Sequence, residues 1–212
     1  MNMEPQHKKD KEETKKKLIK ATGEIFMIKG YSGLNASKIA STAGVSKTLI
    51  YRYFGNVQEL FKAYLNQKDY WISTQQENID ATLGVHKNDA GQGLIKELLE
   101  NQMRYFFNSR EMQQMIRWQI SEPNSISRAI ADARERMGEE VLEMSDPYFK
   151  DSGVSVRAIT ALLVSGIYLL VLNAKVNGST FCGIDINKQE DMDEIIRSLK
   201  MTIDWAYDKA KP

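Results

Sequence analysis

Two short helical patterns meet at one glycine in residues 35–54, which read NASKIASTAGVSKTLIYRYF. Asn35 can begin the first helix, because its side-chain oxygen can accept a free backbone N–H of the first turn. Gly44 can end it, because glycine tolerates the left-handed backbone of a helix terminus. Ser46 is then placed to cap a second helix. The stretch therefore predicts a helix-turn-helix.

The inward positions of this motif are small or apolar. Ala40 lies where the two helices would cross, and Ile39, Val45 and Ile50 form the predicted core. The remaining positions combine cations, hydroxyls, phenols and one apolar tip, which suits the phosphates and base edges of a DNA groove. Leu49 has two interpretations, contact with a thymine methyl or packing beneath the next helix. The predicted DNA-binding residues are Asn35, Ser37, Ser46, Lys47, Thr48, Leu49, Tyr51, Arg52 and Tyr53.

The order of residues in this region closely resembles the DNA-binding signature of the TetR family of bacterial transcriptional regulators. The matching run is Ile39-Ala40-x-x-Ala43-Gly44-Val45-Ser46, Ile50-Tyr51-x-Tyr53-Phe54 and Glu59-Leu60. The resemblance covers roughly Lys11 to Trp71, and beyond it only the layout of helices is similar. Members of the family usually hold a DNA phosphate with a lysine in the loop after the recognition helix, where this chain has Val57. The resemblance implies a dimer that binds a DNA operator and a small-molecule effector.

The basic residues are concentrated at the N-terminal end. The 212 residues carry a net charge of +1, but residues 1–60 have 11 Lys plus Arg against 6 Asp plus Glu, and the rest of the chain has 18 against 22. A polyanion-binding head on a neutral-to-acidic body would have this asymmetry. The length is sufficient for one or two small domains with a hydrophobic core.

Periodicity predicts an all-α chain of about nine helices. A flexible basic arm is expected over 1–10, followed by a first helix over 11–29 that completes a three-helix head with the helix-turn-helix. The helix-turn-helix DNA-binding domain is placed at 11–56 and extends to about 71 with the start of the connecting helix. That helix, capped by Asn56, is predicted to run without a break through Trp71 toward Leu83 and to act as a rigid lever.

A larger C-terminal helical domain is predicted over 57–212, with ligand-binding and dimerisation functions. A loop is expected over 82–92. Further helices are expected from about Asp89 or Gln92 to Asn108, over 110–121, and from Ser125, as its cap, to a stop at Pro147. Apolar residues on more than one face predict that the helices at 155–176 and 189–209 pair with their copies in a two-fold homodimer. The alternative for these two helices is a thick monomer core.

Methionine and aromatic residues in the body suit an adaptable apolar pocket for an unknown small apolar or amphipathic effector. Its candidate polar groups are Gln119, Arg104 and Asn173. For each residue taken alone, packing in the core is the alternative. The predicted lining is Trp71, Met103, Phe106, Met115, Trp118 and Tyr168.

Catalysis is not predicted, and neither is a cofactor, a catalytic residue or a metal site. The two histidines, His7 and His86, have no nucleophile or metal-spaced partner nearby in sequence, and no glycine-rich phosphate loop is present. The single cysteine, Cys182, fits a reducing compartment. The apolar run 161–172 is too short to cross a bilayer and no signal peptide is recognisable, so the expected location is the cytoplasm, with the nucleoid.

The sequence thus predicts a sequence-specific DNA-binding transcriptional regulator, a repressor released from a palindromic operator by a small-molecule effector. The alternative is a ligand-binding or adaptor helical dimer without strong operator binding, which Val57 keeps open. The sequence does not give the operator, the effector, the regulated genes, the choice between repression and activation, or the effect of Val57.

Overall fold

The computed structural model describes residues 4–72 and 89–211, with side chains from residue 10 onward. Within these residues no β-strand occurs, which confirms the all-helical prediction. A short 3₁₀ turn follows α1 at Tyr31–Gly33, and a π-helical turn follows α8 at Asn173–Asn177. The α-helices are α1 Glu4–Lys29, α2 Ala36–Ala43, α3 Thr48–Phe54, α4 Val57–Lys68, α5 Gln92–Asn108, α6 Arg110–Ser121, α7 Ser125–Phe149, α8 Val156–Leu172 and α9 Gln189–Ala210.

The chain divides into two compact units. The head comprises residues up to Asp69 together with Arg117–Ile130, and the body comprises Tyr70–Ile116 together with Ala131–Pro212. The end of α6 and the start of α7 thus belong to the head, although the domain limits predicted from sequence, 11–56 and 57–212, are contiguous.

An aromatic cluster forms the core of the head. The rings of Phe26 and Phe61 have centroids 5.0 Å apart, and Trp118 meets both edge-on at 6.0 and 5.2 Å. Tyr31, just after α1, lies 5.3 Å from the Trp118 ring. Burial of this much aromatic surface fixes α1 and α4 against each other, which gives the helix-turn-helix a rigid support.

Three sequence predictions about helix boundaries are wrong. The arm predicted for 1–10 is helical from Glu4 onward, so α1 is longer at its start than the expected 11–29. The side chain of Asn124, not of Ser125, caps α7, accepting from the backbone N–H groups of Ile126 and Ser127 at 2.9 and 3.1 Å. Finally, α7 does not stop at Pro147 but runs to Phe149.

The continuous lever helix is also wrong. α4 ends at Lys68, and Asp69 has extended backbone angles of φ −77° and ψ 124° before residues 70–72 become helical again. Asp69 is fully buried at this break. The continuation predicted toward Leu83, most of the loop predicted over 82–92, and His86 lie outside the described residues.

Polar contacts tie the helices of the body together. Gln92 and Lys96 on α5 both donate to one carboxylate oxygen of Asp204 on α9, at 2.7 and 2.6 Å. The Tyr207 hydroxyl of α9 donates to the backbone carbonyl of Ala90 at 2.8 Å and lies 2.9 Å from the Ser145 hydroxyl of α7. These bonds supplement the apolar packing of α5 on α9.

One helical stretch of the body, Val156–Asn177, is long and apolar enough by length and composition to cross a membrane, with a mean hydropathy of 1.9. Only 17% of it is buried. Exposed side chains follow helical spacing along α8 at Ala158, Leu162, Ser165 and Leu169, and Ala161 beside them is also exposed. On α9, Met201 and Trp205 are exposed one turn apart. We call Ala158, Leu162, Ser165, Leu169, Met201 and Trp205 the exposed stripe.

Candidate nucleic-acid interface

The local geometry of the helix-turn-helix follows from its caps. The Asn35 side-chain oxygen accepts from the backbone N–H of Lys38 at 2.9 Å, as predicted. Gly44 adopts the left-handed conformation, φ 65° and ψ 34°, at the end of α2. The Ser46 hydroxyl accepts from the backbone N–H of Thr48 at 3.4 Å, but the N-cap residue of α3 is Lys47 and not the predicted Ser46. Asn56 caps α4 in the same way as Asn35 caps α2: its side-chain oxygen accepts from the backbone N–H of Glu59 at 2.9 Å.

The motif separates a buried face from an exposed one. Ile39 and Ile50 are completely buried and Ala40 is nearly so, as the sequence predicted, whereas Val45 is half-buried. Leu49 is half-buried, a position compatible with either of its two interpretations, and Tyr53 is also half-buried. The other predicted DNA-binding residues are exposed: Asn35, Ser37, Ser46, Lys47, Thr48, Tyr51 and Arg52.

The exposed side of α3 carries positive charge without carboxylate partners. Among the described residues, neither Lys47 nor Arg52 takes part in an ion pair. The Arg52 guanidinium lies 5.8 Å from the centre of the Tyr53 ring, and the Lys11 ammonium of α1 lies 5.9 Å from the same ring. Cations placed at an aromatic ring are held in position while their charge stays available to phosphates.

Lys29, at the end of α1, and Lys38, on α2, form a second positively charged position. The ammonium group of Lys29 lowers the pKa of Lys38, first through its charge and then through a hydrogen bond. Lys29 is exposed and Lys38 half-buried, and two lysines this close strengthen the positive field of the head. Sequence analysis did not single out Lys38 as a site residue, although it lies inside the helix-turn-helix stretch. By contrast, Lys15 and Lys17 pair with Glu12 and Glu13 on their own helix.

The body contains a separate candidate site, a cavity of about 460 Å³. Of the predicted lining residues, Trp71 and Tyr168 lie on its wall. The apolar part of the wall comes mainly from Ile95, Leu98, Leu99, Val141, Leu142 and Val164. Its volume lies within the range of about 300–1,000 Å³ typical of small-molecule sites.

The other predicted pocket residues do not line this cavity. Met103, Phe106 and Met115 are buried in the packing between helices, and Trp118 is in the aromatic core of the head. Their apolar periodicity is equally consistent with core and cavity, so sequence could not separate the two.

The predicted polar groups of the pocket are also placed elsewhere. Gln119 donates to the backbone carbonyl of Ser127 in the head, at 3.1 Å. Arg104 pairs with Glu100 on its own helix, and Asn173 donates to the carbonyl of Ser179. The charged groups of the cavity wall are Arg134, Glu135, Glu139 and Arg157.

An exposed, cation-bearing α3 following a capped α2 and a left-handed glycine defines a helix-turn-helix DNA-binding regulator. Residues 18–64 match the sequence pattern of "Bacterial regulatory proteins, tetR family". Residues 18–64 thus form the DNA-binding segment of a TetR-family regulator. The resemblance noted in the sequence is thereby confirmed.

Individual relatives are more distant. The chain is 28% identical over 130 residues to the uncharacterized HTH-type transcriptional regulator YvkB of Bacillus subtilis, covering 60% of this chain and 69% of that protein. It is 38% identical over 60 residues to the HTH-type transcriptional repressor SCO4008 of Streptomyces coelicolor, covering 28% and 31%. The crystal structure of the transcriptional regulator FadR from Bacillus subtilis in complex with stearoyl-CoA has a TM-score of 0.58 at 16% identity, covering 89% and 96%. At that identity the match establishes the fold alone.

Proposed function

We propose that the protein is a repressor that binds a palindromic operator as a homodimer and leaves it when a small molecule fills the body cavity. The observation that carries the DNA-binding part is the exposed side of α3, where Lys47, Tyr51 and Arg52 face solvent and no carboxylate neutralises the two cations among the described residues. A repressor role is supported by the similarity of part of the chain to SCO4008, an HTH-type transcriptional repressor.

Direct readout is assigned to the exposed side chains of α3. Lysine and arginine bind phosphates or guanine edges, and the hydroxyls of Thr48 and Tyr51 can donate to phosphates or accept from bases. Asn35 and Ser46 lie at the starts of α2 and α3. The free backbone N–H groups at a helix start favour binding of a phosphate. Val57 half-buried at the first position of α4 cannot supply the phosphate contact of a lysine. We therefore assign phosphate binding to Lys38 and Lys11 as well.

Dimerisation through α8 and α9 is supported by the exposed stripe. Leu162 and Trp205 are 73% and 60% exposed, large values for apolar side chains on long, regular helices. Exposed apolar surface of this kind, continuous over several turns, favours burial against another protein surface. A second copy of the chain is the occupant, because recognition of a palindromic operator requires two α3 helices related by a two-fold axis.

Effector binding is assigned to the body cavity, since its size suits a small molecule and its wall is largely apolar. The solved FadR structure holds stearoyl-CoA, and it is similar to this chain in fold. That ligand is not transferred to this chain, because identity is low and the wall of the present cavity has its own polar groups. The release of DNA does not run through one continuous helix, because α4 ends at Lys68. We place the protein in the cytoplasm, at the nucleoid.

The alternative is a ligand-binding or adaptor dimer without strong operator binding, which Val57 favours. A gel-shift titration of the DNA upstream of the protein's own gene separates the two. The repressor proposal expects a retarded complex at nanomolar protein that an excess of unrelated DNA does not remove. Binding that is equally strong to unrelated DNA would contradict it. Loss of the complex on addition of a cavity ligand tests release, and an unchanged complex at saturating ligand would contradict release alone.

A further inference from the structure

The charged side chains on the wall of the body cavity cancel one another. The wall carries Arg134 and Arg157 together with Glu135 and Glu139, so its formal charges sum to zero. Asp146, which pairs with Arg157 from outside the wall, adds a further carboxylate, so an anionic ligand meets no excess of positive charge there. Desolvation of an ionic group in an apolar cavity costs free energy that only such an excess, or dedicated hydrogen bonds, would offset.

The guanidinium of Arg157, a cation of the wall, already donates most of its N–H groups to carboxylates. Its Nη1 and Nη2 each donate to Glu139 at 2.8 Å, and its Nε and Nη2 donate to Asp146 at 2.9 and 2.6 Å. Four of its five N–H groups are thus used. The guanidinium keeps the pKa of both carboxyl groups below their ordinary values, so the cluster stays charged and paired at neutral pH. A ligand carboxylate would have to displace one of these partners.

One polar group of a wall residue is left unpaired, the hydroxyl of Thr160 on α8. Its oxygen is buried and has no hydrogen-bond partner in the described part of the chain. Two other helical threonines satisfy their hydroxyls on their own backbone: Thr22 donates to the carbonyl of Leu18 and Thr202 to that of Ser198, both at 2.8 Å. An unpaired buried hydroxyl is unfavourable, so a ligand group that pairs with it gains affinity.

The geometry points to an uncharged amphiphile as the ligand of the body cavity, with its apolar part against Leu98, Leu99 and Val164 and one hydrogen-bond acceptor facing the Thr160 hydroxyl. This assignment rests on the proposed effector-binding function of the cavity. The Thr160 hydroxyl can donate its proton to a carbonyl, ester or ether oxygen of such a ligand. Specificity for it arises from a single neutral hydrogen bond inside a largely apolar wall.

Three probes with the same alkyl chain and different head groups test the assignment. Methyl decanoate, decanoate and decyltrimethylammonium are each titrated calorimetrically into the full-length protein, below their micelle concentrations and without DNA. The ester is expected to bind at least tenfold more tightly than either ion. Thr160→Val is expected to weaken ester binding by about fivefold to tenfold, the worth of one hydrogen bond, whereas Thr160→Ser keeps it within about twofold.

Thr202→Val, also a half-buried helical threonine but not on the cavity wall, is the control and should leave ester binding unchanged. Thr160→Val should melt no lower than the wild type, because it removes an unpaired hydroxyl. Tighter binding of decanoate or of the cation, equal binding of the ester by the Val and Ser variants, or no binding of any probe would overturn the assignment. Release of operator DNA is measured separately. If ester binding depends on Thr160 while operator binding stays unchanged, that result would support the ligand class and refute release of DNA by the effector.

Discussion

The indole ring of Trp118 packs edge-on against the ring of Phe61, with centroids 5.2 Å apart and an interplanar angle of 81°. Phe61 lies on α4, directly after the helix-turn-helix, whereas Trp118 comes near the end of α6. Both side chains are almost fully buried. The head that presents α3 is therefore completed by a residue far from the DNA-binding motif in sequence.

Trp118→Ala should destabilise the head strongly. It empties the space between Phe26, Tyr31 and Phe61, and removal of a buried aromatic ring costs about 3–5 kcal/mol. Trp118→Phe should cost much less, because it keeps a ring and removes an indole N–H that has no acceptor among the described residues. Urea unfolding followed by circular dichroism measures both. Equal losses for the two variants would contradict the packing role of the ring.

Substitutions on α3 should separate DNA binding from stability. Lys47→Ala and Tyr51→Ala should each weaken operator binding by about tenfold or more, and Lys47→Ala should also reduce the slope of log K against log salt by about 1. Neither should shift the melting temperature appreciably, since both side chains are exposed.

The matched structural control is Gly44→Val. Its backbone has φ 65°, which a β-branched residue rarely adopts, so the head should lose about 1–3 kcal/mol of stability although no atom lies within 4 Å of the added Cβ. If all three variants lost equal stability, the exposed side of α3 would be a core face.

Dimerisation should depend on the exposed stripe. Leu162→Glu places a charge in the middle of α8, where the proposed partner subunit packs, and burial of an unpaired carboxylate is costly. Analytical ultracentrifugation should find the wild type dimeric at micromolar concentration and the variant monomeric. Ile28→Glu is the control, since Ile28 is 79% exposed on the head and outside the stripe, and this variant should remain dimeric. A monomeric wild type would refute the interface.

Stability should fall in alkaline solution through two tyrosines of the body. Burial, the largest cause in each case, raises the pKa of both Tyr70 and Tyr207 from 10.0 to about 12. The neutral phenol is thus favoured in the folded state, and its contribution is complete below pH 10 and is lost as the pH rises from about 10 to about 12. Tyr207→Phe should flatten that loss in urea titrations between pH 9 and about 12. A slope identical to that of the wild type would contradict it.

The helix-turn-helix could be predicted from sequence because each of its determinants is local. Asn35, Gly44 and Asn56 act on backbone groups within four residues, so their residue types alone fix the helix limits. No proline or glycine marks the break at Asp69, so the sequence does not predict it. The same limit applies to the cavity: Trp71 and Tyr168 line it and Met103 and Phe106 do not, a distinction that depends on how α5, α7 and α8 pack.

Selection of bound DNA from a random pool tests the central claim most directly, that two copies of α3 read DNA through their exposed side chains. The account predicts an enriched palindrome whose half-sites are centred about one helical turn of DNA, or a multiple of it, apart, and it predicts that Lys47→Ala weakens or relaxes recognition equally in both halves. Recovery of no common sequence, or of a single asymmetric site unaffected by Lys47→Ala, would contradict it.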